Sequence, residues 1–558
     1  MPVLVQFGAG NIGRGFIAPT FASAGWQVVF VDVAAEVVGE LERRRTYRVI
    51  EVDGDSERVV AVANVRALAS SDSAAVVAAL ASCDLAATAV GINVLPRLGA
   101  TIAAGLVERE RCDGPALDVL VCENGAQGAS ILRDAVLTAM PPELRARADA
   151  RFGSVRTSIG RMIPAATGGD CLDIRVEPYA HLPVERAAFR GAIPAVAGLE
   201  PRADFDLVLH QKLYLHNLTH ACLAYAGQLA GLATIPDCIA DPAICRDAHR
   251  AGDEAAQAIA RAHAGGSSEA AVLIACRDLL DELFERYRNR ALNDPVARVA
   301  RDPWRKLAGD DRLIGAARLC CLHGVAPRAI IRHILAACRY TPAVDEPRAG
   351  EWSALAARGP LVLLATVAGL GPQEPLMSAI RTEHLRQQAA SAMRAAGLTL
   401  RDDEAAAIEI ADFGLGRFAE FGLAIHVYVN TERCCAKELM MLPGQICPEH
   451  RHPAIAGDPG KEETFRVRQG EVHLFLPGHK QQSPERAFAL AMVPADKRDT
   501  VTMFRHVHLR AGEQSTLAPN TPHWFVAGPE GAVVSEFSTR SRDEVDIFTD
   551  PAIQRVPV

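Results

Sequence analysis

The sequence predicts three consecutive domains: an α/β domain, an all-helical domain and an all-β domain. Over residues 1–200, short aliphatic runs alternate with helical segments. Residues 201–388 consist mainly of long segments rich in alanine, leucine and arginine. Over residues 389–558, strand-like runs are separated by glycine and proline. A chain of 558 residues needs such a division, because single hydrophobic cores stop growing beyond about 250–300 residues.

Composition and charge argue against nucleic-acid-binding, membrane-spanning and secreted proteins. The net charge of −8 argues against nucleic-acid binding, which needs concentrated positive charge. No apolar run reaches the about 18 residues that span a bilayer, and the first residues lack a signal-peptide pattern. The fourteen cysteines contain no Cys-x-x-Cys pair, which is typical of free thiols in a reducing compartment. We therefore expect a cytoplasmic protein that binds neither nucleic acid nor membrane.

The first domain carries the pattern of a parallel sheet. Its aliphatic runs, each closely followed by Gly, Asp or Asn, are residues 3–7, 28–31, 85–90 and 119–122. Continuous aliphatic runs of this length indicate strands that are buried on both faces. Their alternation with helical segments predicts a doubly wound sheet of the Rossmann type.

A glycine-rich loop follows the first of these strands and opens a helix. Gly8 suits the tight turn, Gly10 allows a pyrophosphate to approach the backbone, and Gly13 allows close packing of helix and strand. Asp32 ends the next strand, where a carboxylate binds ribose hydroxyls and would repel a 2′-phosphate. Pro19 predicts a kinked or short helix. The loop predicts NAD as cofactor, with these binding residues: Gly8, Gly10, Asn11, Ile12, Gly13 and Asp32.

The remaining domains show two further patterns. Helical segments are predicted at residues 205–232, 240–264, 269–288 and 326–338. Strands are predicted at residues 423–429, 438–442, 464–467, 472–476 and 533–537. The short spacing of these strands favours a small antiparallel barrel.

Lys212, Asn217 and His220 form a polar cluster in the helical domain. At about 100° per residue, their side chains span about 140° of one helix face. A buried lysine of lowered pKa could act as a general base, and the amide and imidazole could contact substrate oxygens. The same spacing also suits the polar face of a surface helix, so the spacing alone leaves both interpretations open.

Five motifs in the first 385 residues resemble those of mannitol-1-phosphate 5-dehydrogenase, a family of polyol-specific long-chain dehydrogenases. The motifs occupy residues 8–15, 122–124, 161–164, 212–220 and 305–313. The resemblance implies metal-independent hydride transfer between mannitol 1-phosphate and fructose 6-phosphate. It also implies that Lys212 takes the hydroxyl proton, Asn124 and Asn217 stabilise the oxyanion, and His220 places the substrate.

The substrate phosphate of this family implies cationic anchors. Arg305, Lys306 and Arg312 are the candidates, with ion pairs on a helix surface as the alternative interpretation. Gly160-Arg161 stands where the family has Asp-Arg, which leaves the role of that loop open. Unphosphorylated mannitol, as for a mannitol 2-dehydrogenase, and a hexuronate remain alternative substrates.

A metal-binding pattern lies in the last domain. His450 and His452 are separated by one residue, so on a strand they point to the same side. Glu463, from the following strand, and His523 complete a set of three imidazoles and one carboxylate, which suits Mn²⁺, Fe²⁺ or Zn²⁺. The spacing over residues 444–470 fits the first cupin motif with a lengthened spacer. A barrel that retains these residues without a metal is the alternative.

A second histidine pair, His506 and His508, also faces one way on a strand. It has no carboxylate at cupin spacing, and we interpret it as structural.

Residues 405–555 resemble the D-lyxose isomerase type of cupin sugar isomerase. The resemblance is carried by residues 436–438, 447–453, 460–466, 522–525 and 536–538. It implies aldose–ketose isomerisation with a divalent metal, of which Mn²⁺ is the first choice. Lys437 would reach the metal from an adjacent strand. Glu536, with Asp546 as the second candidate, would move the proton between the first two sugar carbons.

Together these patterns predict a bifunctional enzyme of sugars, polyols and sugar phosphates. The alternative is a dehydrogenase whose cupin domain binds sugar without catalysis. Because cupin strand edges can pair, a homodimer through this domain is a further possibility.

Overall fold

A computed structural model describes residues 1–123, 125, 127–163, 170–265, 268–455, 457–478 and 484–555. The chain forms two compact units, Met1–Leu376 and Met377–Val558. None of the described helices is long and apolar enough to cross a membrane.

The first unit contains these described strands: β1 (Val3–Phe7), β2 (Gln27–Asp32), β3 (Thr46–Asp53), β4 (Ser56–Ala63), β5 (Val65–Ala69), β6 (Leu85–Thr88), β7 (Leu117–Val121), β8 (Phe152–Arg156), β9 (Ile174–Val176), β10 (Leu182–Glu185) and β11 (Leu199–Arg202). The second contains β12 (Glu409–Ala411), β13 (Leu423–Asn430), β14 (Cys435–Met441), β15 (Ile446–Arg451), β16 (Glu463–Leu476), β17 (Arg505–Arg510), β18 (Gln514–Leu517), β19 (His523–Ser538) and β20 (Ile547–Phe548).

The described α-helices, in chain order, are α1 (Ala18–Ala22), α2 (Ala35–Arg44), α3 (Ser73–Ser82), α4 (Leu95–Arg111), α5 (Gly128–Ala139), α6 (Pro142–Arg151), α7 (Phe205–Gln211), α8 (Leu218–Leu229), α9 (Ile235–Ala240), α10 (Pro242–Ala262), α11 (Glu269–Arg286), α12 (Val296–Ala300), α13 (Pro303–Lys306), α14 (Ile314–Leu322), α15 (Arg328–Cys338), α16 (Ala349–Ala356), α17 (Pro360–Val367), α18 (Pro375–Ala395), α19 (Asp402–Ala406) and α20 (Pro484–Ala491). Two π-helical turns span Gly13–Ile17 and Lys212–Asn217. Short 3₁₀ turns span Arg186–Ala188, Arg290–Leu292, Ala495–Thr500 and Asp543–Val545.

The main sheet of the first unit is parallel, and its order within the described part is β5-β2-β1-β6-β7-β8. Counted along the chain, these strands lie in the order 3-2-1-4-5-6, which is that of a dinucleotide-binding doubly wound sheet. Neighbouring residues of β1 belong to cores on opposite faces, Leu4 to one and Val5 to the other. The predicted α/β domain is thereby confirmed.

The helix after β1 is short, as Pro19 predicts. The turn Gly13–Ile17 is π-helical, and α1 then begins with Pro19 in its first turn. A proline is tolerated there, because the first N–H groups of a helix lack an intrahelical partner.

The helical part of the first unit is built around α8, which packs against α10, α12 and α15. Leu218, Ala221, Cys222 and Tyr225 on α8 are completely buried. The π-helical turn Lys212–Asn217 leads directly into this buried helix, so its side chains are held by a rigid element.

The second unit is an antiparallel sheet folded around one interior. The strands β16 and β19 pair along their length, with a shift of register between Gly470 and Val472. On β19, Phe525 and Ala527 face the interior before this shift, whereas Ala532 and Val534 face it afterwards. The irregular stretch at residues 528–531 therefore changes which alternate residues point inward.

Two glycines make the shift sterically possible. Gly470 has φ +73° and Gly531 has φ +76°, which favour glycine. A Cβ on Gly470 would lie 2.0 Å from the carbonyl oxygen of Gly531. The predicted all-β domain is confirmed, and Gly470 of the cupin pattern has a steric explanation.

Candidate active sites

The glycine loop has the geometry that its sequence predicts. Gly8 has φ +91°, and its Cβ would lie 2.4 Å from the Ala89 oxygen. A Cβ on Gly13 would lie 2.1 Å from the Gly8 oxygen, whereas one on Gly10 would meet no atom within 4 Å. Asp32 closes the loop, since its Oδ2 accepts a hydrogen bond from the Ala9 amide at 2.6 Å. The open space at Gly10 fits the approach of a phosphate.

The glycine-rich loop and the polar cluster of the helical domain line the same cavity, which has a volume of about 770 Å³. Asn11 and Ile12 line it from the loop, and Lys212, Asn217 and His220 line it from the helical part. Asn124 lies outside the described residues. Five predicted residues from two regions therefore share one cavity large enough for a small ligand.

Lys212 is the candidate base of this cavity. Burial, together with the positive charges of Arg286 and Arg312, lowers the pKa of its amine to about 7. Its Nζ lies 3.4 Å from His216 Nδ1, and burial also lowers the pKa of that imidazole well below its usual value. A neutral His216 accepts the hydrogen bond from Lys212 and positions its amine.

His220 is oriented by Asp294, a residue that the sequence patterns missed. The His220 Nε2 atom lies 2.8 Å from Asp294 Oδ2, and its ring stacks on Tyr287 with 5.1 Å between centroids. Burial opposes ionisation of Asp294, but the contacts with His220 and the charge of Arg298 together outweigh this and lower the carboxyl pKa. Nε2 therefore carries the proton, and Nδ1 is left to accept one from a ligand. Asp294 lies far from His220 in sequence, so no local spacing reveals the pair.

The three candidate phosphate anchors do not occupy equivalent places. Arg305 and Arg312 line the cavity, but Lys306 is not among its lining residues. Arg305 donates to Asp302 at 2.8 Å, and Arg312 donates to Asp311 at 2.7 Å. Lys306 is buried, which lowers its amine pKa to about 7. Two of the three residues can thus face a ligand, and both already contact carboxylates.

Gly160 stands where the resembled dehydrogenase family has aspartate, and the structure gives a steric reason for the glycine. A Cβ at this position would lie 3.0 Å from the Tyr179 ring, so an aspartate would require the ring to move. The neighbouring Arg161 is buried, and it donates to Glu51 at 2.9 Å and to the Gly15 oxygen at 3.1 Å. Arg161 thereby ties this loop to the first helix of the dinucleotide domain.

Three histidines converge in the interior of the second unit. The ligand atoms of His450, His452 and His523 lie within 4.8 Å of one another. Each ring is oriented through Nδ1, and the acceptors are Pro448 O at 2.8 Å, Asp546 Oδ1 at 2.5 Å and Thr521 O at 3.0 Å, respectively. Such outer contacts fix the tautomer that leaves Nε2 for a metal.

Glu463 lies where it completes this set. Its Oε1 is 3.3 Å from His452 Nε2 and 3.2 Å from His523 Nε2. Both nitrogens are buried without a hydrogen-bond partner, because their alignment with the carboxylate is poor. Ligand atoms around an ion with bonds of about 2.0–2.2 Å are separated by about 3.0–3.5 Å. The spacing of Glu463, His452 and His523 therefore fits a divalent metal.

A buried lysine, Lys461, joins the ligand set to Glu536. Its Nζ lies 2.8 Å from Glu463 Oε2 and 2.6 Å from Glu536 Oε1. Burial alone would raise the pKa of Glu463, but Lys461, His523 and His452 together hold it well below its usual range. The sequence analysis missed Lys461, which lies just before β16, where strand alternation does not apply.

Lys437 lines the same cavity as the candidate metal ligands. It lies opposite Glu536 in the β14–β19 ladder, but its Nζ contacts Asp543 at 3.0 Å and Ser541 at 2.9 Å. The lysine in contact with the ligand set is Lys461. The shared cavity of about 40 Å³ has room for an ion and a few waters.

Three family models match this chain. The mannitol dehydrogenase Rossmann domain matches residues 2–198, the mannitol dehydrogenase C-terminal domain matches 206–356, and D-lyxose isomerase matches 387–558. The chain belongs to these families: it consists of mannitol dehydrogenase N- and C-terminal domains fused to a D-lyxose isomerase domain.

Individual proteins show the same division. The D-lyxose ketol-isomerase of Thermofilum sp. is 52% identical over 172 residues, which are 31% of this chain and 93% of that protein. The D-lyxose/D-mannose isomerase of Thermosediminibacter oceani is 48% identical over 177 residues, 32% of this chain and 95% of that protein. Pseudomonas fluorescens mannitol 2-dehydrogenase, solved with NAD and D-mannitol, has a TM-score of 0.53 at 16% identity, over 70% of this chain and 93% of its own. That likeness shows the fold of the dehydrogenase part.

Proposed function

We propose that the chain is a bifunctional enzyme of sugar metabolism. The first unit oxidises mannitol 1-phosphate reversibly to fructose 6-phosphate with NAD. The second interconverts an aldose and a ketose of the D-lyxose/D-xylulose or D-mannose/D-fructose type. The observation that carries the proposal is that each unit has a cavity lined by its own candidate base, Lys212 in the first and Glu536 in the second. Membership of the two enzyme families supports it.

In the dehydrogenase, Lys212 takes the proton of the substrate hydroxyl. Its pKa of about 7 leaves about half of the amines neutral at neutral pH, so they can accept this proton. Asn217 donates its amide to the oxygen as negative charge develops, together with Asn124, and His220 accepts a neighbouring hydroxyl at Nδ1. The loop of residues 8–13 would hold NAD, which when bound supplies the hydride acceptor.

Two observations bear on whether the polyol substrate carries a phosphate group. Arg305 and Arg312 line the cavity, and guanidinium groups bind phosphates well. Asp310 and Asp311 line the same cavity, which favours an uncharged polyol. Free mannitol is therefore the second candidate substrate. A phosphate would have to draw Arg312 away from Asp311.

In the isomerase, His450, His452, Glu463 and His523 would hold a divalent ion, with Mn²⁺ as first choice and Fe²⁺ or Zn²⁺ as alternatives. Such an ion, when bound, polarises the sugar carbonyl and the adjacent hydroxyl. Glu536 moves the proton between the first two sugar carbons. Lys461 holds Glu463 and Glu536 in place and balances their charge.

The dehydrogenase is tested by NADH consumption of the full-length chain with fructose 6-phosphate and with fructose. Consumption with fructose 6-phosphate supports mannitol 1-phosphate as the polyol, whereas consumption with fructose alone selects free mannitol. Lys212→Met should abolish the activity, and Glu536→Gln should leave it intact. Absence of consumption with either ketose would contradict the proposed dehydrogenase.

The isomerase is tested with the Mn²⁺-loaded chain and D-lyxose, D-mannose or mannose 6-phosphate. Ketose should form from at least one aldose, Glu536→Gln should lose the activity, and Lys212→Met should retain it. No product from any of the three would sink the isomerase proposal. Sugar binding without turnover would instead support a non-catalytic binding module.

A further inference from the structure

A second group of imidazoles and a carboxylate lies outside the isomerase cavity. Glu471 and His473 are on β16, and His506 and His508 are on β17. We call these four residues the outer cluster. Their neighbours Val472, Leu474 and Leu509 belong to the interior core, so strand alternation places the outer cluster on the opposite face.

The pairing of the two strands brings the outer cluster together. His473 and His508 are direct partners in the ladder, and their rings stack with 4.7 Å between centroids. Glu471 lies two residues before His473 and faces the same way. The ligand atoms of Glu471, His473 and His508 lie within 4.8 Å of one another. Three donors are therefore held together by two paired antiparallel strands, β16 and β17.

The contacts inside the outer cluster resemble those of a metal site before the ion enters. His508 Nε2 lies 2.9 Å from Glu471 Oε2, and a tetrahedral ion would separate two such atoms by about 3.3–3.5 Å. The pair must therefore open by only about half an ångström. His473 Nδ1 lies 2.9 Å from His506 Nε2, which gives His473 the outer partner that metal-binding histidines usually have.

The outer cluster is accessible to an ion. The side chains of His508 and Glu471 are 30% and 34% exposed, so an ion can arrive without opening the fold. On the other side, Phe488 of α20 packs against the His473 ring, with 5.7 Å between centroids. One apolar wall and one open side leave a coordination position for water.

We propose that Glu471, His473 and His508 bind a second divalent transition metal, with Zn²⁺ favoured by this set of two imidazoles and one carboxylate. His506 positions His473. The bound ion connects β16 to β17 and thereby stabilises their pairing, because an ion that binds only the folded state shifts the folding equilibrium. This site is independent of the proposed isomerase reaction.

The test is the zinc stoichiometry of the full-length chain after exhaustive chelation and titration with ZnCl₂ alone. With the interior ligands removed by His450→Gln and Glu463→Gln, one equivalent should remain, and Co²⁺ in its place should give d–d absorption. Adding His473→Asn and His508→Asn should remove that equivalent and that absorption. Arg510→Gln, on the same face of β17, is the matched control and should retain both.

Measuring the unfolding temperature distinguishes a variant that has lost the metal site from one that folds poorly. In the chain that lacks the interior ligands, ZnCl₂ should raise the unfolding temperature, and Glu471→Gln should remove this rise without changing the metal-free transition. The proposal is overturned if the variant without interior ligands binds no zinc. It is equally overturned if the bound equivalent survives the loss of His473 and His508.

Discussion

The pKa of Lys212 determines how the dehydrogenase should depend on pH. At its usual pKa of 10.5, about one lysine amine in three thousand is neutral at pH 7, whereas a pKa of about 7 leaves about half neutral. Polyol oxidation needs the neutral amine as proton acceptor. Its kcat/KM should therefore rise tenfold per pH unit below about pH 7 and level off above it.

Ketose reduction should show the opposite trend. This direction needs the protonated lysine as proton donor, so its kcat/KM should fall as pH rises through about 7. The phosphate of a sugar phosphate also titrates near pH 6, but it would affect both directions with the same sign. Opposite trends in the two directions therefore indicate a proton-transferring group of the protein and not the substrate phosphate.

The assay is NADH absorbance between pH 5.5 and 9.5 in buffers of constant ionic strength. Arg312→Gln removes one of the charges that lower the Lys212 pKa, so the midpoint should move upward. Because burial is the larger cause, the midpoint should stay well below that of an exposed lysine. A midpoint near 10 in the unaltered chain, or parallel trends in the two directions, would refute the role of Lys212 as base.

Three further predictions concern single positions. Asp546→Asn should weaken metal binding to the isomerase about 10–100-fold, measured as the Mn²⁺ dependence of its rate, because His452 loses its charged partner. Lys461→Met should destabilise the second unit by about 3–5 kcal/mol in calorimetric unfolding, because Glu463 and Glu536 lose their shared counter-charge. Gly10→Ala should weaken NAD binding in titration without lowering the unfolding temperature, since its Cβ meets no protein atom.

Each of these has a matched control. The exposed Glu544→Gln should leave the Mn²⁺ dependence unchanged, and the exposed Arg466→Met should leave the unfolding transition unchanged. Gly13→Ala should lower the unfolding temperature, because its Cβ would lie 2.1 Å from the Gly8 oxygen. Equal effects of a variant and its control would contradict the reasoning at that position.

Local patterns predicted the elements better than the contacts between them. The predicted strand at residues 3–7 coincides with β1. Its end could be predicted because Gly8 directly follows the aliphatic run. The predicted strands at 464–467 and 472–476 are one strand, β16, since the chain continues through the shift at Gly470. No residue period indicates such continuity.

For the candidate active sites, too, the sequence predicts residues that are close in the chain but not their distant contacts. His450 and His452 are near in sequence, so strand alternation alone indicates their common side. Asp294 and Asp546 orient histidines from 74 and 94 residues away, and only the folded chain brings them close. His506 and His508 were interpreted as structural because Glu471 and His473 lie on the partner strand, outside any motif spacing.

The change of inward-facing residues along β19 limits how this domain can vary in length. His523 and Glu536 both lie on the interior side only because the stretch at 528–531 offsets the alternation between them. Gain or loss of one residue there would turn Glu536 outward while every ligand stayed in place. We expect homologous domains to tolerate substitutions in this stretch but to keep its residue count fixed.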